Sequence, residues 1–487
     1  MRNTRPLHKK SVSDMKGVSE GVVLKANPLP FEWKISVVLL GVIILLFGMV
    51  PMLFLQLWGR ELTRTVFVIM GGISGSLSVL IMFFAVSRPV RPSVSPGPPL
   101  LFEKAITWIL LYTPISAIIG LIHEWPLTYI IGDIFLLSIL PLIFLALTRH
   151  PLNKPEQVFQ GIYGILLTLS LFSVFIVFQH NVVEQNYHKL SLNATIPVIF
   201  YLLLKSRLNW KDVLFLILFV LGTVLTSKRA NWGALIFAIG YAAGMRPGLR
   251  IGIKLLLLIA GLWGIILIIQ ETYPAMYDQG TRLLERRWEE TMYDIFEKGG
   301  EFDPNARGRA GELAGLLERF RNSPEISPFD IIFGLGLGAM IRTSVGDLQH
   351  QIHATPAVFL ARTGVIGLCL WLLFIMSFLS FLFRQIRSAT DPWLKTQFLY
   401  WFGVFLFGFI SSLTAQSFWG GMHEAVFIAY IWQLGRINAS SHRKTKTSLP
   451  LSGKGQVSPK LHFRERRFRA RTTGFVRNPL DGERGES

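Results

Sequence analysis

The sequence predicts an all-α, polytopic integral membrane protein, with about twelve transmembrane helices and one large outward-facing helical loop. Three observations predict it. The 487 residues are 51% hydrophobic and only 16% charged, with a mean hydropathy of +0.45, a composition foreign to soluble globular chains of this length. The apolar residues gather in runs close to the roughly 20 residues a helical span needs. Lys and Arg concentrate in alternate short loops, as in multi-span membrane proteins.

A polar leader, residues 1–34, comes first. The apolar run behind it is about 20 residues long, which fits a span and not the short core of a cleavable signal peptide. Within 35–270 the expected spans are 35–56, 65–87, 104–122, 128–148, 159–179, 190–205, 211–226, 230–246 and 250–270. Segments 190–205 and 230–246 are the shortest of these. A polar interval, 271–354, separates them from three more at 355–383, 397–416 and 420–436. Lipid offers the backbone no hydrogen-bond partners, so the runs are expected to be helices. Residues 437–487 form a basic tail expected to be disordered.

One set of alternate loops carries Arg88, Arg91 and Lys104, then Arg149 and Lys154, then Lys205, Arg207 and Lys211. It continues with Arg246, Arg250 and Lys254 and ends with Arg384, Arg387 and Lys395. Both termini fall on that side and are therefore expected in the cytoplasm. The 271–354 loop is then outside, which in a bacterium means the periplasm. The net charge of +19 is partly a topology signal: the tail from Arg436 holds 13 Lys/Arg against 4 acids. Such a tail suits anionic membrane lipids and not nucleic acid. Pro89 to Pro99 reads as an extended linker. The single cysteine, Cys369, excludes an internal disulfide and a thiolate metal site.

Inside the outward loop, 281–296 is helix-like, and Arg309 to Asn322 is amphipathic. Leu313, Leu316, Leu317 and Phe320 share one face, able to lie on the membrane or pack over the bundle. Gly334-Leu-Gly-Leu-Gly338 lacks the strand and helix of a dinucleotide fingerprint and reads as a turn. No HExxH, paired Asp-x-Asp or cysteine cluster occurs, so no metal and no cofactor are expected.

The candidate residues are cations and histidines on the outward side. Lys228 and Arg229 sit in a short outward loop, where the positive-inside bias disfavours them. They either snorkel to lipid headgroups or meet an anionic partner, for which the planar arginine fork is suited to phosphate. Arg307 and Arg309 open the amphipathic run, either as surface pairs with Asp303 or Glu312 or as anion ligands. His350 and His353 close the loop. His353 precedes Thr355-Pro356, read as N-cap and first helical residue. An imidazole there is a merely exposed histidine or a base for a hydroxyl proton. Arg362 lies roughly 10 Å into its span at 1.5 Å per residue. It is either a functional group or the structural partner of a buried acid, with Asp133 the obvious one.

Three segments resemble the O-antigen ligase and O-antigen polymerase superfamily of bacterial membrane glycosyltransferases. Leu225-Thr-Ser-Lys-Arg-Ala-Asn-Trp-Gly233 is similar to the family's Ser-Arg-Gly segment, with Arg229 on the arginine. Gly308-Arg309 through Phe320-Arg-Asn-Ser-Pro324, then Ile331-Ile-Phe-Gly-Leu-Gly-Leu-Gly338, is similar to its arginine, loop helix and Gly-x-Gly run. His353-Ala-Thr-Pro-Ala-Val-Phe-Leu-Ala-Arg-Thr-Gly-Val-Ile-Gly367 resembles its His-Asn motif with a later Gly-apolar-apolar-Gly. The likeness covers 215–380; the first half matches in topology alone. Ala354 replaces a frequent asparagine, Arg362 a frequent glutamate, and Lys228 stretches the Ser-Arg step.

The resemblance implies an undecaprenyl-diphosphate-linked glycan donor and a glycan, lipid or protein acceptor. It implies that Arg229 and Arg309, with Lys228 beside them, hold the diphosphate without a metal. His353 would be the general base for an inverting attack on the anomeric carbon, with Arg307, His350 and Arg362 in support. Ligase, polymerase and protein O-oligosaccharyltransferase share this scaffold. The rival readings are a transporter or flippase for a lipid-linked sugar or another anionic solute, and a non-catalytic assembly partner. A transporter is expected to show broken spans in matching halves.

Overall fold

In the computed structural model the described residues are 33, 100–152, 154–179, 195–225, 229–246, 249–274, 326–342, 348–349, 354–413 and 422–447, with scattered positions between 277 and 322. The chain divides into two units, Met1–Ser440 and Ser441–Ser487, and the helix bundle belongs to the first, its last helix continuing past Ser440 to Thr447. Its elements are α1 (Leu101–Ile122), α2 (Leu127–Thr148), α3 (Pro155–Phe178), α4 (Thr195–Leu204), α5 (Trp210–Leu225), α6 (Arg229–Met245) and α7 (Leu249–Thr272). Then come α8 (Pro328–Phe333), the strands β1 (Ile341–Arg342) and β2 (Leu348–Gln349), α9 (Thr355–Ser388), α10 (Pro392–Ser412) and α11 (Met422–Thr447). The regular elements of the described chain are thus helices apart from one two-residue antiparallel strand pair, Ile341 opposite Gln349 and Arg342 opposite Leu348.

Among the described residues, six helices are long and apolar enough to cross a membrane: α1, α2, α3, α9, α10 and the Ile251–Thr272 part of α7. The apolar α4 is shorter. The expected spans 35–56 and 65–87 lie outside the described residues, as do the 89–99 linker and most of the tail.

Local chemistry sets the helix ends. Asp391 caps α10, its carboxylate accepting from the Trp393 amide at 2.9 Å, with Pro392 in the first turn. Asn209 and Asp212 cap α5 reciprocally, each side chain accepting the other's amide at 2.8 and 2.9 Å. The last carbonyls of α4 are met by cations: Lys254 Nζ reaches Leu203 O at 2.6 Å, and Arg246 reaches Leu204 O at 2.5 Å. Cations at a helix C-terminus complement its dipole and fill its orphan acceptors. Two residues of the positive-inside pattern therefore also bind the bundle together.

The core between α3, α4, α10 and α11 is aromatic. Tyr201 stacks obliquely on Tyr163 at 4.7 Å and meets Tyr400 edge-on at 5.7 Å, while Trp401 packs on Phe427 at 4.9 Å. On the other side of the bundle α9 makes its most extensive contact with α1. α7 is nearly bare by comparison, with Leu256, Trp263 and Ile268 exposed; such a surface suits lipid. The helix opens at Thr355, one residue earlier than expected, so Ala354 and not Thr355 is the N-cap, and it makes no side-chain bond. α9 also runs past a break, because Gly364 has φ 65° and ψ −163°.

Candidate functional site

The break in α9 is where the glycine run lies. Ser327 starts α8 with a full capping box: its hydroxyl accepts from the Asp330 amide and the Asp330 carboxylate accepts from the Ser327 amide at 2.8 Å. The chain leaves α8 at Gly334 and passes along α1, α2 and α9. Residues 334–339 are all buried. Gly334, Gly336 and Gly338 have φ of 89°, 85° and 84°, the left-handed region that favours glycine. The turn expected from the sequence is thus present, but it is wedged between helices and not solvated.

Close approach adds to the demand for glycine. A Cβ on Gly336 would strike the backbone of Gly120, and one on Gly120 would strike Leu337. Gly334 and Gly364 face each other with no space for a side chain on either.

The backbone of this segment finds partners one by one. Leu335 N–H donates to Ala361 O at 2.8 Å and Leu337 N–H to Ser116 O at 3.0 Å. Gly338 N–H donates to the Asp133 carboxylate at 2.7 Å. Trp125 Nε1 donates to Leu335 O at 2.8 Å and the Tyr112 hydroxyl to Phe333 O at 3.0 Å. Ser116 also donates its hydroxyl to the carbonyl of Arg362. Ser116 is six residues from the end of α1, and Asp133 six from the start of α2, so both lie roughly 9 Å along their helices. Irregular backbone at that depth is tolerated only when protein groups satisfy it.

Asp133 holds the segment and Arg362 holds Asp133. Arg362 Nε lies 2.8 Å from Asp133 Oδ2, and each side chain is 2% exposed. The second alternative read for Arg362, a structural pair with a buried acid, is the arrangement present. A pair so buried is neutralised by its geometry, since losing either partner strands a charge in a low-dielectric interior.

Nearer the surface, His123 Nε2 meets Asp330 Oδ1 at 3.1 Å. Burial works against the Asp330 charge, but the Ser327 amide and hydroxyl and the imidazole outweigh it and hold this carboxyl below the usual range. The neighbouring Glu124 adopts φ 57° in the tight turn between α1 and α2.

The amphipathic face of the run 309–322 ends here too. Leu316 is fully buried and Phe320 nearly so, while Leu317 is 51% exposed. Leu316 and Phe320 share one buried cluster with Leu335, Ala339, Ala354 and Val358. The described part of that run therefore packs over the bundle. Leu316 and Phe320 thus rest on the same floor as Ala354, where the described chain resumes.

Of the sequence candidates, Arg362 is described in full, and Arg229 as the first residue of α6, by its backbone. Close to Arg229, Asn231 is buried and Trp232 Nε1 donates to Val224 O at 3.0 Å, tying α6 to α5. Lys228, Arg307, Arg309, His350 and His353 lie outside the described residues. Sequence reasoning missed His123, Ser116, Gly120 and Trp125, and it named Asp133 without its bond to Gly338. One signal was available: Ser327-Pro-Phe-Asp330 has capping-box spacing. Compared with known proteins, the chain matches no family model and no curated protein.

Proposed function

We propose that the chain is an inner-membrane glycosyltransferase of the O-antigen ligase or polymerase type. On this reading it spans the membrane about twelve times, keeps both termini in the cytoplasm and works on the periplasmic face. It transfers or polymerises glycan from undecaprenyl diphosphate in surface polysaccharide biosynthesis, onto a glycan, lipid or protein acceptor. The observation that carries the reading is the shared cluster under the outward loop: Leu316 and Phe320, which follow Arg309, pack with Ala354, which follows His353. Two of the three family-like segments thus converge.

In this mechanism Arg309 and Arg229, with Lys228 beside them, bind the donor diphosphate and stabilise the charge growing on it. Bidentate guanidinium contacts suit that group. His353 takes the proton from the acceptor hydroxyl. The acceptor oxygen bonds to the anomeric carbon as the bond to the diphosphate breaks, with inversion, and undecaprenyl diphosphate leaves.

The test is transfer by the purified full-length protein in proteoliposomes with lipid-diphosphate-linked glycan. His353→Ala and Arg309→Ala should each abolish transfer at normal expression. Full transfer by both variants would overturn the site assignment.

A second reading, a transporter or flippase, draws on one observation: the break of α9 at Gly364 lies beside a buried ion pair. It expects solute or lipid-linked sugar to cross vesicles without any transfer product.

A further inference from the structure

We propose that Asp133 and Arg362 are positioning residues, which fix where the outward loop leaves and re-enters the helices. The proposal rests on the glycosyl-transfer reading and deepens it.

Asp133 Oδ2 joins three elements. It stands on α2, accepts the Gly338 N–H at 2.7 Å and meets Arg362 Nε of α9 at 2.8 Å. Gly338 is the last glycine before the hairpin of β1 and β2, and its backbone is pinned by that one carboxylate. Arg362 stands two residues before the Gly364 break. Its carbonyl takes the Ser116 hydroxyl, and the preceding carbonyl, of Ala361, takes the Leu335 amide. The pair thus ties both chain segments to one point, the one leaving α8 and the one re-entering at Ala354. Residues 350–353 lie between β2 and that re-entry.

A buried ion pair contributes little net stability compared with an apolar substitute. It contributes direction, because a carboxylate that must serve an amide and a guanidinium together has few acceptable geometries. Small misplacements at a reacting centre cost about 100-fold in rate. The pair, each side chain 2% exposed, is too deep to serve as a diphosphate ligand.

The experiment compares wild type with Asp133→Asn/Arg362→Met in the full-length protein. The double variant removes both charges, so no buried charge is stranded, and the asparagine oxygen can still accept from Gly338. In the transfer assay the proposal expects turnover to fall about 100-fold while KM for the donor stays within about threefold. Asp133→Glu, which keeps the charge, should recover part of the turnover. Amide hydrogen exchange at 335–339 should rise in the double variant. Wild-type turnover in a folded double variant overturns the proposal. If wild type itself shows no transfer, the functional reading fails, and the exchange arm decides alone: unchanged exchange at 335–339 overturns the positioning role, and faster exchange supports it.

Discussion

Lys254 and Arg246 reach carbonyls that close α4; Arg362 and Asp133 hold a stretch of chain that is not helical at all. The first cluster finishes an ideal element. Its cations meet acceptors that every helix end leaves open, and neighbouring groups can take over part of that task. The second replaces an ideal element. Three left-handed glycines, a broken helix and a buried ion pair together satisfy backbone that lipid would leave bare. Irregular backbone kept in place by specific partners is commonly found where a membrane protein does its work.

Substitutions separate the two clusters. The largest loss should come from Asp133→Ala or Arg362→Met alone, each stranding a buried charge, at about 3–5 kcal/mol. Thermal unfolding in detergent checks it, and the double neutral variant should lose clearly less. Gly336→Ala should lose somewhat less, about 2–3 kcal/mol, through strain at positive φ and collision with Gly120. Lys254→Met should lose about 1 kcal/mol, because it removes one of several groups at the end of α4. If Lys254→Met proved costlier than Gly336→Ala, the contrast between the clusters would be reversed.

Acid should act on the His123–Asp330 cluster through Asp330. Its folded pKa is depressed, so its contribution is present above the unfolded value of 3.8 and is lost as pH falls through the folded one. A melting-temperature series from pH 6 downward should show this loss, and Asp330→Asn should remove it. The smallest effect has the opposite sign. Gly240→Ala in α6 meets no atom within 4 Å and should stabilise by about 0.5–1 kcal/mol.

Much of the helix plan was legible in hydropathy. The expected 211–226 and 230–246 runs agree with Trp210–Leu225 and Arg229–Met245, because each apolar run is one helix. α3 starts earlier than expected, at Pro155 and Glu156, since a polar first turn falls outside any apolar run. The break at Gly364 was not legible: an apolar stretch looks the same on either side of it, and what makes the break necessary is the distant Gly334. Asp133 and Arg362 each stood out as a charge inside a span, yet nothing local pairs residues on different helices. Leu316 and Phe320 were read as one apolar face, but their contact with Ala354 depends on the tertiary fold.

The glycosyl-transfer reading requires the irregular end to face the periplasm. In a Cys369→Ala background, Arg309→Cys or His353→Cys should react with a membrane-impermeant maleimide on intact cells. Lipid-diphosphate-linked glycan should slow that reaction at His353→Cys, which keeps Arg309, in proteoliposomes. Labelling of both positions only after the membrane is opened would contradict the account.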